Sequence, residues 1–561
     1  MAAGPGALSQ PTVAPATQRP VRRTAVGGAL PRALLPAILV WLPLAAVVGG
    51  ALAALLARAP SLPLAELWQD AYIRQVVRFT LWQALLSTLL SLTLAIPVAR
   101  ALARRPRFPG RGLLLRLFGL PLVVPSIVAV FGVVAIYGHG GLFNRALSLL
   151  GAPPWQGLYG LPGILIAHVF FNLPLAVRML LPLWAGVPGE SWRLAAQLGM
   201  RSGALWRLIE WPLLRQALPG VATLIFLLCS SSFAVVLTLG GGPAASNLEV
   251  AVYQALRFEF EPGRAVALAL LQMMLCGSLA WLLTRLAQPM ALAASAARPY
   301  PRPDQAALGG RLWDALVLLL ATLSVGLPLA AVAAAGLDGP LTAVLIDPLL
   351  WRSTLQSLAV ALPAGLLALA GGLSLLLSSR RLRLRCHRPR WAEAVELSGS
   401  LVLVLPPLVL GTGLFLLLMP YADVFALGLT LVTLVNALMG LPFVIRVLST
   451  PLRQVAEHHD RLCASLGISG WRRARLIEWP LLRRPIALAL ALAVTLALGD
   501  MGVIALFGSQ HTMTLPYLLY QRLSSYQMEQ AAVTALFLVA LCLGLFLLIE
   551  RGIGGRERAH A

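Results

Sequence analysis

One acidic side chain lies well inside an apolar run. It is Asp500, in Ala497-Leu498-Gly499-Asp500-Met501-Gly502. An ionised carboxylate in hydrocarbon is costly, so this one must face a bundle interior or a wet cavity. Two chemistries suit it. It can offer a negative partner to a cationic solute, or it can make a packing hydrogen bond to a neighbouring helix brought close by Gly499 and Gly502. The position 268 residues earlier is Ser232, within Ser230-Ser231-Ser232-Phe233. Aromatic faces attract cations, which makes Phe170, Phe171, Phe233, Tyr253, Tyr517 and Tyr520 candidates beside it, although membrane-interface belts and helix packing use the same residues. His168, matched by Asn436 at the same offset, reads as an interhelical hydrogen bonder rather than a proton relay. Asp500, Ser230, Ser231, Ser232, Phe233, His168 and Asn436 are the candidate substrate path.

Other chemistries are missing. All 44 basic residues are arginine. A P-loop needs a lysine at the phosphates, so this chain cannot hydrolyse ATP by that route. The five cysteines (Cys229, Cys276, Cys386, Cys463 and Cys542) show neither a Cys-x-x-Cys pair nor metal-ligand spacing, and read as buried or cytosolic side chains without disulfides. No paired carboxylates or nucleophile-base set occurs in a loop, so an enzyme is not indicated.

The elements that position these residues follow from composition. The chain is 59% hydrophobic and 12% charged, whereas a soluble protein carries about a quarter charged residues. Apolar runs lie near 35–57, 77–98, 114–136, 161–183, 220–240, 265–287, 312–336, 354–378, 396–419, 425–448, 487–507 and 531–549. Each is close to the ~20 residues that span a bilayer as helix. The pattern predicts an all-α polytopic membrane protein of twelve helices, the first an uncleaved signal anchor. The net charge of +23 does not indicate nucleic acid, because the arginines cluster in alternate loops. Eight of the 44 (Arg58, Arg74, Arg78, Arg145, Arg257, Arg264, Arg352 and Arg522) fall toward one side, and the other 36 toward the side holding both termini. Arginine marks the cytoplasmic side, which predicts cytoplasmic termini.

The chain also repeats itself. Arg207-Leu208-Ile209-Glu210-Trp211-Pro212-Leu213-Leu214-Arg215 returns as Arg475-Leu476-Ile477-Glu478-Trp479-Pro480-Leu481-Leu482-Arg483. Leu173-Pro174 with Arg178 matches Leu441-Pro442 with Arg446, and Gly240 matches Gly508, at the same offset. Two six-helix halves of like topology follow, 34–287 and 312–550, joined by a cytoplasmic linker at 288–311 and flanked by tails at 1–33 and 551–561. Both repeated loops fall between the fourth and fifth spans of their half, on the cytoplasmic side. Trp192–Leu198 and Asp460–Leu466 have helical spacing, and Gly199 and Gly467 suit a left-handed cap. A second short helix is expected in each loop, interrupted by Pro212 or Pro480 before the next span. Two copies of such a surface suit a two-fold protein partner.

These loops resemble the EAA loop of ABC importer permeases, in which Glu-Ala-Ala is followed after three residues by Gly and, nine further on, by Ile-x-Leu-Pro. Here Gly199 leads after nine residues to Ile209, Glu210, Trp211 and Pro212. Gly467, Ile477, Glu478, Trp479 and Pro480 repeat the spacing. Arg193 and Arg461 stand where the family has glutamate, and Trp precedes each Pro in place of Leu. The resemblance implies a type I ABC importer permease fold. It also implies docking of two copies of an ATPase subunit, one per loop, through Arg193, Gly199, Arg207, Ile209, Glu210, Trp211, Pro212 and their counterparts Arg461, Gly467, Arg475, Ile477, Glu478, Trp479 and Pro480.

Further stretches narrow the resemblance to the thiamine ABC transporter permeases of the ThiP type. They include His168-Val169-Phe170-Phe171-Asn172-Leu173-Pro174, Gln197-Leu198-Gly199-Met200-Arg201-Ser202, Leu239-Gly240-Gly241-Gly242-Pro243, Tyr253-Gln254-Ala255-Leu256 and Val503-Ile504-Ala505-Leu506-Phe507-Gly508. The resemblance implies import of thiamine and its phosphates across a bacterial inner membrane. A periplasmic binding protein would deliver the substrate, and ATP and Mg would reside on the partner ATPase, with no cofactor on this chain. Asp500 would then face the thiazolium ring or pack. Alternatives are a ferric-iron ABC permease and, from a different class, a secondary transporter, which calls for more intramembrane charge than Asp500 supplies. The outer loops near 241–264 and 508–530, with Glu249, Glu259, Glu261 and Glu529, are candidate docking points for the binding protein or simply solvated connections.

Overall fold

A computed structural model describes residues 29–58, 69–286, 302–305, 307–384, 386–509 and 512–555. Most of the two tails, and 288–301 and 306 of the linker, lie outside them. Eleven helices among the described residues are long and apolar enough to cross a membrane, and a shorter apolar helix makes a twelfth element. In chain order the principal helices are α1 Ala33–Ala57, α2 Ala71–Arg104, α3 Ser126–Tyr137, α4 Leu161–Ala185, α5 Trp211–Ser230, α6 Pro262–Leu286, α7 Leu308–Asp338, α8 Pro348–Leu384, α9 Pro407–Leu418, α10 Gly428–Ser465, α11 Trp479–Leu498 and α12 Met528–Gly554.

Two of the predicted runs are divided at a proline. The run near 396–419 divides into Pro389–Ser400 and α9, and the run near 114–136 into Arg111–Leu117 and α3. The breaks carry extended prolines, Pro406 at ψ 140° and Pro125 at ψ 142°. Proline lacks an N–H and disfavours helix in the residue before it, so each run must stop and restart. The breaks fall at matching places in the two halves.

The halves are built alike inside. In the first, α2 packs along α4 and α5; in the second, α8 packs along α10 and α11. The leading helix of each half, however, lies against the other half. The α1 helix packs on α8 and α9, and α7 packs on α2 and α3. Ala33 and Ala37 enter the second half's core, and Leu318, Ala321 and Val325 enter the first half's. Matching glycines permit these crossings. A Cβ on Gly132 would sit 2.7 Å from the Pro328 carbonyl oxygen, and one on Gly413 would sit 2.6 Å from that of Ala51. The third core joins the halves around α3, α9 and the short helices that follow α5 and α11.

Candidate docking loops and translocation path

Each repeated loop begins at a helix end. Gly189–Gln197 ends at Leu198, and Gly199 takes φ +59°. Met200 N–H then bonds Ala195 O at 3.0 Å, and Gly199 N–H bonds Ala196 O at 3.1 Å. Gly467 closes α10 in the same way at φ +66°, with Ile468 N–H on Cys463 O at 2.9 Å. Both are Schellman caps, which need the left-handed residue that glycine supplies. In the second loop the helix before the cap is the uninterrupted continuation of α10, so only the first loop has a separate leading helix there.

The prolines act differently from expectation. Neither Pro212 nor Pro480 interrupts its helix. The chain runs helical from Ser202 into α5 and from Gly470 into α11, through a single wide turn at Trp206–Glu210 or Ala474–Glu478. Trp211 N–H bonds Trp206 O, and Trp479 N–H bonds Ala474 O, five residues back in each case. The wide turn accommodates the ring and the missing donor of the proline that follows it.

That turn divides the repeated residues into inner and outer sets. Glu210 is fully buried. Its carboxylate accepts from Arg100 Nε at 2.7 Å, from Trp184 Nε1 at 3.1 Å and from Arg302. Glu478 accepts from Arg380 Nη1 at 2.6 Å and from Arg473 Nε at 2.8 Å, and both arginines also hold Asp460. Each glutamate thus anchors its loop to the C-terminal end of α2 or α8 instead of presenting itself outward. Ile209 and Ile477 pack half-buried against the same cores. Outward stand Arg193, Arg207, Arg461, Arg475, Trp211 and Trp479. Leu194, Leu198 and Leu208 are 56%, 61% and 59% exposed, and at the 268-residue offset Leu462, Leu466 and Leu476 are 52%, 62% and 64% exposed. The same apolar, arginine-flanked surface is therefore presented twice.

The first loop has an extra tie. Arg302, in the segment between the halves, bonds Glu210, pairs with Asp304 at 3.1 Å and lies 4.6 Å over the Trp192 ring. Asp304 also accepts from Ser202 Oγ at 3.2 Å and sits 3.4 Å from Arg104 Nε. Burial would push the Asp304 carboxyl up, but Arg302 and Arg104 hold it below the usual carboxylate range. No sequence pattern singled out Arg302, Asp304, Arg100 or Arg380. The only available signal was arginine near the ends of apolar runs, which topology alone explains.

On the path side, the helices predicted near 220–240 and 487–507 both break. The α5 helix stops at Ser230 and resumes as Phe233–Leu239; α11 stops at Leu498 and resumes as Gly502–Phe507. Ser230 and Ser231 turn their hydroxyls back onto Leu227 O, at 2.9 and 2.7 Å, so they satisfy their own helix. The Ser232 carbonyl accepts from Asn247 Nδ2 at 3.0 Å. At the matching break, Asp500 Oδ1 accepts from Gly502 N–H at 3.2 Å, and Asn436 lies beside the carboxylate. Phe233 meets Tyr253 edge-on, 5.2 Å between centroids. His168 stands apart, with Nδ1 2.8 Å from Ser87 Oγ on α2, an interhelical hydrogen bond. Phe170 and Phe171 likewise belong to the first half's core.

After each break the chain turns and returns as a helix, Leu248–Arg257 or Leu515–Ser524, and these returning helices are mostly buried. They occupy much of the regions read as outer docking loops. Glu249 in particular is 2% exposed and close enough to Asp500 for their charges to interact, so it is no surface docking residue. Glu259 and Glu261 pair with Arg264, and Glu529 is exposed. The cysteines among the described residues are free, and no group of His, Cys, Asp or Glu there has the geometry to hold a metal.

Two matched sets of apolar helices, each with a helix that breaks and resumes after the same repeated turn, define a polytopic membrane permease of the ABC importer class. Residues 385–551 match the family described as "Binding-protein-dependent transport system inner membrane component". The chain is 44% identical to the "Thiamine transport system permease protein ThiP" of Brucella abortus over 97% of its own length and 99% of the relative's. It is 46% identical to the protein of that name from Escherichia coli over 90% and 94%, and 45% identical to that from Salmonella typhimurium over 94% and 96%. The chain belongs to this ThiP family of permeases, and it is a multi-pass inner-membrane transport subunit.

Proposed function

We propose that this chain carries thiamine and its phosphates across the bacterial inner membrane, as the membrane-spanning half of an ATP-driven importer. A separate ATPase subunit, bound twice, supplies the energy and holds the ATP and Mg. A periplasmic binding protein delivers the substrate, and both termini face the cytoplasm. The doubled docking surface carries the energetic part of this reading: three exposed leucines per loop, repeated at a fixed offset. Exposed apolar patches on a polar rim mark protein contacts, and two copies related by the internal repeat suit a two-fold ATPase. The substrate rests on the relatives, whose names specify thiamine. Asp500, at the break in α11, supports it by offering negative charge to a thiazolium ring.

The test is reconstitution in lipid with the ATPase and the binding protein. Thiamine-loaded binding protein stimulates ATP hydrolysis and thiamine accumulates inside. Stimulation by ferric iron with none by thiamine contradicts the substrate and favours an iron permease.

A further inference from the structure

The import reading leaves open what on the path receives the substrate. Asp500 comes from the second half, at the break between α11 and Gly502–Phe507. Glu249 comes from the first, in the opening turn of Leu248–Arg257. The two helices that carry or follow these residues pack on each other, and the two carboxylates lie within electrostatic reach. Like charges buried together are costly unless a cation or a proton joins them. Asp500 is met by the Gly502 N–H and Asn436, but Glu249 Oε1 is buried without a hydrogen-bond partner among the described residues. Beside them Asn436, 7% exposed, turns its side-chain amide to the Asp500 carboxylate. A buried polar atom left unpaired in this way is expected to have a ligand.

Aromatic rings border the same place. The Phe233 ring reaches within 3.9 Å of where a Cβ on Gly502 would stand, and Asp500 Oδ1 lies 3.7 Å from that point. Phe233 packs against Tyr253, and Tyr253 is close to Tyr517 and Tyr520 of the other half. Tyr253 and Tyr520 hold the same position in the two returning helices, five residues beyond Leu248 and Leu515. Carboxylates with aromatic faces recognise a delocalised organic cation.

We propose that Glu249 and Asp500, one from each half, form a two-carboxylate site for the cationic ring of the substrate, bordered by Phe233, Tyr253 and Tyr520. The proposal rests on the import reading and adds to it the residue from the first half and the part of the substrate that is held. Because the site spans the halves, relative movement of the halves opens or closes it. It also disfavours phosphate, so the phosphates of a phosphorylated substrate point away from the pair.

The experiment measures thiamine imported per ATP hydrolysed, and the KM for uptake, in proteoliposomes holding the complete transporter. Glu249→Gln raises KM roughly tenfold, the loss of one charge-assisted contact, and lowers thiamine moved per ATP, while Glu249→Asp recovers part of both. Asp500→Asn behaves like Glu249→Gln. Equal effects of Glu249→Gln and Glu249→Asp, or an unchanged KM, overturn the proposal. So does failure of both neutral variants to assemble with the ATPase, since the carboxylates would then be structural. If the native chain itself moves no thiamine, the import reading is at fault instead.

Discussion

Arg302 closes on Glu210. The arginine belongs to the segment joining the two halves and the glutamate to the first docking loop, 92 residues away. In the second loop the equivalent glutamate, Glu478, is held by Arg473 from five residues earlier in its own loop. Both glutamates also bond an arginine near the end of a spanning helix, Arg100 of α2 or Arg380 of α8, so the loops share that foundation and differ in that only the first is tied into the inter-half segment as well.

Their glutamates therefore differ in cost of removal. Glu210 is fully buried among arginines, whereas the Glu478 side chain is 18% exposed. Removing one partner of a buried ion pair costs about 3–5 kcal/mol because the other charge is stranded. Glu210→Ala is expected to approach that range, and Glu478→Ala to cost clearly less. Melting of the purified chain in detergent checks the order.

Asp304 gives the tie between the inter-half segment and the first loop a pH dependence. Its pKa is lowered in the folded chain by Arg302 and Arg104, against the opposing effect of burial. A depressed carboxylate pKa contributes stability above the unfolded value and loses it as pH falls through the folded one. This tie accordingly holds at neutral pH. Asp304→Asn lowers the melting temperature at pH 7, and the gap from the native chain narrows below about pH 4, where the unfolded carboxylate protonates.

The glycines at the half-crossings predict a packing asymmetry. Gly413→Val forces a side chain into the Ala51 backbone, and Gly132→Val into that of Pro328. Overpacking of this kind costs roughly 1–3 kcal/mol or more. At Gly220, in α5, an added Cβ meets nothing within 4 Å, so Gly220→Ala is neutral or slightly stabilising through helix propensity. Comparing folded yield and melting of the three variants tests the crossed arrangement.

Orientation is testable by fusion. A reporter fluorescent only in the cytoplasm, placed after Gly554, is expected to fluoresce. A periplasmic phosphatase inserted at Gly151, an exposed glycine at φ +70° in the turn before α4, is expected to be active. The reverse pattern contradicts the arginine-based topology.

Much of this was legible in the residues. Apolar runs gave the spans, because hydrophobic length is a local property. The repeat gave two like halves, and Gly199 and Gly467 gave the caps. What could not be read was contact between distant segments. Nothing near Glu249 announces Asp500, and nothing near Arg302 announces Glu210; those pairings exist only once the helices pack. Glu249 does follow a capping asparagine in an otherwise apolar stretch, a sign of burial that its place in a presumed outer loop obscured. Pro212 and Pro480 suggest a break because proline ordinarily stops a helix, and the widened turn that accommodates each leaves no mark in sequence.

The central claim is that energy enters through the two repeated loops. Its most direct test is the number of ATPase subunits that co-purify with the chain. The native chain retains two, Leu208→Glu or Leu476→Glu alone retains about one, and the double variant retains none while its melting temperature is unchanged. Two ATPase subunits retained by the double variant would contradict the claim.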